Sequence, residues 1–489
     1  MSQTFYWHDY ETWGADPSRD RAAQFAGIRT DEALNIVGKP LSIYCKPAKD
    51  MLPQPEACLV TGITPQAALA EGTNEADFFE RVHRELAHPR TCGVGYNSIR
   101  FDDEVTRYGL YRNFFDPYER EWQNGNSRWD LIDVVRLTRA LRPEGIEWPE
   151  HEPGVPNFRL EALAAANGLS HEHAHDALSD VIATIELAKL VRQRQPKLFD
   201  YLFRMRGKRQ AGQLLNLRER RPVLHVSSMY PAARGCIAMV VPLIPHPTNK
   251  NGVIVYDLRF DPEPFLGLGR DELRTRLFTP TDRLPAEMER LPVKTVHLNK
   301  SPVIVPMNTL TERAAAEWEI DAARGERYSK TLKHAGDWLE RVSLIHRERV
   351  FEPVEDPDRN LYGGGFFGDG DRERIARVRK ASSSDLADLG LAFDDPRLPE
   401  MLFRYRARNW PETLSGDEAR RWDEYRMERI TAPGGGSSIT LDEYRARLAK
   451  LIIDPGSDAG KRAVLSQLAD WPELLDLGYP IGDLKTPRL

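Results

Sequence analysis

Two acidic residues near the N-terminus, Asp9 and Glu11, have the spacing of a metal-binding pair. They follow the aromatic run Phe5-Tyr6-Trp7, which predicts a buried β-strand. Side chains at positions i and i+2 of a strand point to the same face, so the two carboxylates project together. Neighbouring carboxylates repel one another unless a cation lies between them, and oxygen-rich pairs suit Mg²⁺ or Mn²⁺. The alternative is that one acid caps the following turn while the other is solvated, so the pair needs partners from elsewhere.

Two later segments offer such partners. Asp102 and Asp103 lie where a predicted strand ends and a predicted helix begins, a position at which acids also serve simply as caps. Further on, His175 precedes Asp180 by five residues. Two helical positions at that spacing would lie well apart around the axis, so we expect His175 in the loop that enters the helix carrying Asp180. The alternative is a surface histidine in a polar loop, with Asp176 as the helix cap.

The order of these residues resembles that of the DEDDh 3′–5′ exonucleases, whose fold is RNase H-like. Longer motifs resemble one family within that group, the bacterial exodeoxyribonuclease I family. They are HDYET at residues 8–12, TGITP at 61–65, YNSIRFDDE at 96–104, ALRPEG at 140–145, NFRLE at 157–161, QPKLFDYL at 195–202 and YRARN at 405–409. Each motif alone is weak, but the ordered set is specific. It covers the first 200 residues almost unbroken, is looser in the middle and returns towards the C-terminus.

The resemblance implies a catalytic residue at each of five positions: Asp9, Glu11, Asp102, Asp180 and His175. By position, Asp9 would contact both of two metal ions, Glu11 and Asp180 would hold the first, and Asp102 would help place the second. His175 would take the proton from the attacking water, since an imidazole titrates near neutral pH.

The implied cofactor is Mg²⁺, two ions per active site, with Mn²⁺ as a substitute. Two ions about 4 Å apart activate the attacking oxygen of a phosphodiester hydrolysis and stabilise the leaving one. The family pattern favours Asp102 over its neighbour Asp103 and Asp180 over the nearby Asp176.

Cations and aromatic side chains in the same region are candidates for substrate binding. Single strands are held by phosphate contacts combined with base stacking, and Arg159 falls where the family places an arginine on the substrate. A solvated helix face explains any one of the others about as well. The candidates are Glu11, Thr12, Arg107, Tyr118, Trp122, Arg136, Arg142 and Arg159.

Members of the family also dock the acidic C-terminal tail of the single-stranded-DNA-binding protein. Arg142 and Tyr201 resemble part of that docking pocket. Basic residues are also frequent between Arg192 and Arg221, at the predicted junction of the first two domains, where a strand could be led inward.

Length and composition bound these expectations. A chain of 489 residues is too long for one core. The net charge of −6 gives no global sign of nucleic-acid binding, so a binding surface would be a local patch. Four scattered cysteines without a C-x-x-C pair argue for a reducing compartment and against a structural zinc. No signal peptide or membrane-spanning run is evident, and we expect a monomeric cytoplasmic protein without membrane contact.

The hydrophobic pattern predicts an α/β chain in three parts with a tail. Strands followed by alternating helices and strands indicate an RNase H-like exonuclease domain at residues 1–195. Short β-rich runs indicate an SH3-like domain at 196–349, with a helical insertion near 314–340. A helical domain follows at 350–475, and 476–489 form the tail. Within these parts we expect a hairpin of residues 33–37 with 41–45, and a short helix at 385–389.

The predicted function is 3′→5′ degradation of single-stranded DNA to 5′-mononucleotides, in repair and recombination. A 3′→5′ exoribonuclease of the same superfamily is one alternative, which the catalytic residues do not exclude but the two extra domains disfavour. A catalytically inactive single-strand-binding scaffold is another. The complete acid set with His175 argues against it, because an inactive site has no reason to keep repelling buried carboxylates.

Overall fold

The computed structural model describes residues 2–169, 176–454 and 458–477. The chain divides into two compact units. The first combines Met1–Ser127, Glu172–Ile182 and Pro353–Leu489, and the second combines Arg128–His171 and Ala183–Glu352. Within the described ranges, no helix is both long enough and apolar enough to cross a membrane. All four cysteines are buried free thiols.

The β-strands of the two units are numbered in chain order. They are β1 (Thr4–Thr12), β2 (Ala22–Thr30), β3 (Leu41–Tyr44), β4 (Thr91–Gly95), β5 (Ser127–Asp130), β6 (Glu150–Glu152), β7 (Val155–Pro156), β8 (Val223–Val226), β9 (Ile237–Pro245), β10 (Gly252–Asp257), β11 (Val293–His297) and β12 (Ile304–Pro306).

The α-helices are numbered in the same way. They are α1 (Pro55–Thr61), α2 (Pro65–Glu71), α3 (Glu75–Leu86), α4 (Asp102–Arg112), α5 (Leu131–Leu141), α6 (Leu160–Ala166), α7 (Ala177–Arg194), α8 (Pro196–Met205), α9 (Lys208–Leu214), α10 (Glu263–Leu266), α11 (Arg270–Phe278), α12 (Glu312–Glu317), α13 (Ala322–Lys333), α14 (Gly336–Arg347), α15 (Asp369–Lys380), α16 (Arg397–Asn409), α17 (Gly416–Thr431), α18 (Leu441–Ile452) and α19 (Ala459–Leu474).

The sheet of the first unit is built around β1. Its strands lie in the order β3-β2-β1-β4, with β1 antiparallel to β2 and parallel to β4. The aromatic residues of β1 are buried on both faces, as expected for a central strand covered by other layers. The predicted opening strand is therefore confirmed, and it is the element that carries Asp9 and Glu11.

The predicted hairpin of residues 33–37 with 41–45 is wrong in its first half. The antiparallel partner of β3 is β2, a strand that the hydrophobic pattern does not predict because Ala22–Thr30 is rich in small residues. Gly27 shows why a small residue is needed in this strand, since a Cβ at this position would overlap the Tyr6 ring. Residues 33–37 instead form the connection, in which the Asp31 carboxylate accepts hydrogen bonds from the backbone N–H groups of Ala33 and Asn35 at 2.9 and 2.8 Å. Such bonds favour a turn over a strand.

The C-terminal helices of the first unit share cores with its N-terminal part. One core joins Trp13 and Leu52 to Tyr444 and Trp471. Another joins the aromatic side of α4 to the helix α16. Helices α16 to α19 confirm the predicted helical region, but residues 385–389 form consecutive turns. Their backbone bonds run from Asp385 to Ser382 and from Asp388 to Asp385, which is three residues back rather than the four of an α-helix.

Buried ion pairs reinforce this contact. Arg408 of α16 donates to Asp50 at 2.9 Å and to Asp358 at 2.6 Å. Asp50 also accepts from Arg21 at 2.9 Å, and Asp358 accepts from Arg404 at 3.2 Å. All five side chains are buried, so each charge depends on its partners for compensation.

The second unit contains an antiparallel sheet in the order β11-β10-β9-β8-β12. The four runs that predicted β-structure, beginning at Val223, Ile237, Val253 and Val293, are β8 to β11 of this sheet. Alternate valines of these strands form one core with residues of α9. The predicted helical insertion corresponds to three helices, α12 to α14.

We predict that Arg408→Ala lowers the free energy of unfolding of the first unit by about 3–5 kcal/mol, because it strips compensation from two buried carboxylates. Arg420→Ala is the matched control: Arg420 pairs with Asp417 on the exposed face of α17, where an ion pair contributes about 0–1 kcal/mol. The free energy of unfolding of both variants is measured by urea denaturation, with hydrogen exchange of the α16 amides as the readout. Equal effects of the two variants would contradict the account.

Acid dependence gives a second readout of the same variant. Burial raises the pKa of Asp50, but Arg21, Arg408 and Arg429 outweigh it and hold that pKa well below the ordinary range. A carboxylate with a depressed folded pKa stabilises the fold above its unfolded pKa of about 4, and this contribution is lost as the pH falls below it. The loss of stability below pH 4 should therefore be smaller in Arg408→Ala than in the unsubstituted protein.

Candidate metal centre and active site

Three elements of the first unit carry the predicted acids. Strand β1 carries Asp9 and Glu11 on one face, α4 begins at Asp102, and Asp180 lies in the first turn of α7. A tight turn directs the chain from β4 into α4, with Asn97 in the left-handed region at φ 63°, a conformation that asparagine tolerates. The acids thus come from distant parts of the sequence.

Asp9, Glu11 and Asp180 form a close group. One carboxylate oxygen from each lies within 4.8 Å of those of the other two. Asp102 is held beside them by the backbone N–H of Tyr10, which donates to its Oδ1 at 3.1 Å. A set made only of carboxylate oxygens suits a hard divalent cation such as Mg²⁺ or Mn²⁺.

The electrostatics of the group support the same interpretation. Burial raises the pKa of Asp9 well above its ordinary value, and the charges of Asp102, Glu11 and Asp180 raise it further. The pKa of Glu11 rises to about 8, first through burial and then through Asp180, Asp102 and Asp176. Repulsion of this kind is relieved when a cation binds, so the residues present fit a metal site.

The neighbouring acids are engaged elsewhere. Asp103 accepts a hydrogen bond from the buried Arg120 at 2.5 Å. Asp176 caps α7: its Oδ2 accepts from the backbone N–H and the hydroxyl of Ser179, both at 3.2 Å. These contacts explain chemically why the pattern favours Asp102 and Asp180. Arg120 had no recognisable signal in the sequence, because its role depends on a contact across 17 residues.

His175 lies outside the described residues, so its predicted role as the general base stays a prediction. The other predicted site residues are described, and the structure divides them between the two units.

The substrate-binding candidates of the first unit differ in their availability. Trp122 is exposed at 64%, as a base-stacking side chain must be. Arg107 is buried and forms ion pairs with Glu121 at 2.7 Å and Glu104 at 2.8 Å. Its guanidinium also lies over the Tyr118 ring. Arg107 therefore supports the Tyr118 ring, and its own side chain is not exposed to a bound DNA strand.

Thr12 follows an irregularity in the pairing of β1 with β2. Its hydroxyl donates to the carbonyl of Gly14 at 2.7 Å, which shapes the end of the strand directly after Glu11.

The remaining candidates lie in the second unit. Arg159 is exposed at the start of α6. Arg136 is buried and paired with Asp133 at 2.7 Å. Arg142 donates to the carbonyls of Leu141 and Thr309. Tyr201 is half-buried, and burial raises its pKa. The substrate and partner roles of these positions stay predictions.

Comparison with known proteins decides the family. Family profiles match three consecutive segments: "Exonuclease" at residues 6–188, "Exonuclease I SH3-like domain" at 206–348 and "Exonuclease I C-terminal domain" at 355–475. Exodeoxyribonuclease I of Escherichia coli (strain K12) is 47% identical over 97% of this chain and 98% of its own length. The chain belongs to the exodeoxyribonuclease I family.

Solved structures of family members agree with this assignment. The moderately thermophilic Exonuclease I from Methylocaldum szegediense matches with a TM-score of 0.93 and 53% identity, covering 97% of this chain and 99% of that one. E. coli Exonuclease I in complex with a dA16 oligonucleotide matches with a TM-score of 0.92 and 46% identity, covering 97% and 100%. The predicted exodeoxyribonuclease I resemblance, enzyme class and three-part fold class are confirmed.

We predict that Glu11→Gln stabilises the metal-free protein more at pH 8 than at pH 6.5. A carboxyl group with a raised folded pKa binds protons more readily in the folded state, so its cost to stability grows as the pH rises towards that pKa. With a pKa of about 8 for Glu11, the gain should be larger at pH 8 by about 1–2 kcal/mol.

Urea unfolding in EDTA at the two pH values measures this difference. The window above pH 6.5 avoids the buried histidines His8 and His83, whose pKa values are lowered to about 4 by burial. A gain that does not change with pH would contradict the proposed repulsion. Saturating Mn²⁺ should remove the part of the pH dependence of unfolding free energy that arises from Glu11 in the unsubstituted protein.

Proposed function

We propose that the protein removes 5′-mononucleotides one at a time from the 3′ end of single-stranded DNA. The observation that carries this proposal is the convergence of Asp9, Glu11 and Asp180 within 4.8 Å in a chain that matches the exonuclease, SH3-like and C-terminal family models. Structures of the E. coli enzyme in complex with dA16, 5cy-dT13 and 5cy-dA13 oligonucleotides support the choice of substrate.

The proposed cofactor is a pair of Mg²⁺ ions, for which Mn²⁺ can substitute. Asp9, Glu11, Asp102 and Asp180 would hold them, because these side chains offer hard oxygen ligands at one place. When bound, the ions supply charge stabilisation for the attacking and leaving oxygens of the phosphodiester. A zinc-bound form of the E. coli enzyme with single-stranded DNA supports divalent-metal binding at an enzyme of this family.

The remaining steps fall to the side chains. His175 would accept the proton of the attacking water, so that the new bond forms between its oxygen and the terminal phosphorus. The bond from phosphorus to the 3′-oxygen of the preceding nucleotide then breaks, and that oxygen takes a proton from water, which releases a 5′-mononucleotide and leaves a new 3′-hydroxyl. Arg159 would contact the substrate phosphate, and the exposed Trp122 and the supported Tyr118 would stack on bases.

Partner binding extends this proposal. A structure described as SSB/Exonuclease I in complex with the inhibitor CFAM matches with a TM-score of 0.89 and 45% identity. We propose that Arg142 and Tyr201 contribute to a pocket for the acidic C-terminal tail of the single-stranded-DNA-binding protein. Arg142 supplies the cation, and Tyr201 supplies a partly exposed aromatic ring.

Several broader expectations stay proposals as well. The domain boundaries are 1–195, 196–349 and 350–475 with a tail at 476–489, and the enzyme acts as a cytoplasmic monomer in repair and recombination. The exoribonuclease alternative is disfavoured by the family assignment, whose members are exodeoxyribonucleases. The inactive scaffold is disfavoured by the intact group of acids.

The test compares 5′-labelled single-stranded DNA, single-stranded RNA and blunt duplex DNA in Mg²⁺. We predict stepwise shortening from the 3′ end of the single-stranded DNA, and rates on RNA and duplex at least a hundredfold lower. Asp9→Asn should reduce the rate on single-stranded DNA at least a thousandfold while strand binding stays measurable. The control Glu80→Gln changes an exposed acid of α3 and should retain full activity.

Equal rates on RNA and DNA would favour the exoribonuclease alternative. Unchanged release by Asp9→Asn would remove this carboxylate from the mechanism.

A further inference from the structure

Gln24 is a buried polar residue in the mainly apolar first half of strand β2. It lies on β2 within the sequence Ala-Ala-Gln-Phe-Ala and is 2% exposed. In the antiparallel pairing of β1 with β2, Gln24 is directly opposite Glu11. Directly opposed residues project from the same face of a sheet, so the amide of Gln24 lies on the face that carries Glu11 and Asp9.

Both ends of this amide contact the start of α7. Its Nε2 donates to Oδ1 of Asp176 at 3.3 Å, and its Oε1 accepts from the backbone N–H of Ala177 at 3.5 Å. A third contact, from Nε2 to the hydroxyl of Ser42 on β3, is 3.5 Å long. The side chain therefore links the sheet to the first residues of the helix.

Asp176 transmits this link to Asp180. Its Oδ1 faces Gln24, while its Oδ2 caps the helix through Ser179. Its carbonyl oxygen accepts the backbone N–H of Asp180 at 3.0 Å, which is the first hydrogen-bonded turn of α7. A displacement of Asp176 would therefore move Asp180 by a comparable amount relative to β1.

We propose that Gln24 is a positioning residue for the metal-binding carboxylates: by fixing the first turn of α7 to the strand opposite Glu11, it sets the separation of Asp180 from Asp9 and Glu11. The proposal rests on the proposed function, since it assumes that these acids hold the metal. Residues that orient ligands in this way typically contribute about 10–100-fold to metal affinity or activity.

The chemistry of an amide suits this position. Asp176 needs a donor and the Ala177 N–H needs an acceptor, and one amide provides both. A glutamate could not donate to Asp176 and would add another negative charge beside Glu11 and Asp176. A methionine has similar length but makes neither bond.

The experiment compares Gln24→Met, Gln24→Asn and the control Ser42→Ala with the unsubstituted protein. Mn²⁺ alone is titrated into each protein by calorimetry, and kcat and KM are then measured on single-stranded DNA. For Gln24→Met we expect Mn²⁺ affinity and kcat each to fall at least tenfold, with KM within about twofold. Gln24→Asn keeps the amide but shortens the side chain, so its Mn²⁺ affinity and kcat should lie between those of Gln24→Met and the unsubstituted protein. Ser42→Ala removes only the contact to β3, leaves both contacts to the start of α7, and should bind Mn²⁺ within about twofold of the unsubstituted protein.

Thermal unfolding in EDTA separates positioning from a merely structural role. A structural role would lower the unfolding temperature and leave the Mn²⁺ affinity of the folded protein unchanged, and this result would overturn the proposal. If Gln24→Met does not fold, Gln24→Asn carries the test. If the unsubstituted protein itself neither binds Mn²⁺ nor degrades single-stranded DNA, the proposed function fails. If the unsubstituted protein does both and the Gln24 variants do both equally well, only the inference about Gln24 fails.

Discussion

Repulsion among carboxylates on one face of a buried strand is the constraint on which the rest of the site depends. Burial raises the pKa of Asp9 and of Glu11, and the nearby charges of Asp102 and Asp180 raise both further. A protein can keep such a group only where the surrounding structure holds it in place and a cation offsets the charge. The geometry of the first unit meets the first condition, and the proposed metal ions meet the second.

The holding structure comes from both ends of the chain. Strand β1 is packed on both faces, and α4 and α7 deliver their acids at their first turns. The C-terminal helices fix the region through the buried pairs of Arg408 with Asp50 and Asp358. Residues more than 300 positions apart in sequence therefore share one charge network. Carboxylates paired with arginines stabilise the fold, and the carboxylates that β1, α4 and α7 bring together form the candidate site.

The part of the site that could be predicted from sequence is the part encoded in local spacing. The two-residue spacing of Asp9 and Glu11 on an aromatic strand is visible directly, and so are the acids at two helix starts. The choice of Asp102 over Asp103 came from the family resemblance alone. Its physical reason, the pair of Asp103 with Arg120, depends on tertiary packing that no local pattern shows.

Other features were hidden for related reasons. Strand β2 was missed because it is rich in alanine and has a glycine at position 27, where Tyr6 approaches closely, and both residue types are weak strand signals. Arg107 was predicted to contact the substrate. In the structure it is buried, forms ion pairs with Glu104 and Glu121, and lies over the Tyr118 ring. The union of Met1–Ser127 with Pro353–Leu489 in one compact unit also cannot be read from a linear pattern, since it depends on cores formed by distant segments.

The most direct test of the central claim is anomalous diffraction from a crystal of the protein soaked in Mn²⁺. We predict manganese bound between Asp9 and Glu11 of β1 and Asp180 of α7, with a second ion on the side of Asp102. Anomalous density absent from this group, in a crystal where the four carboxylates are well ordered, would contradict this prediction.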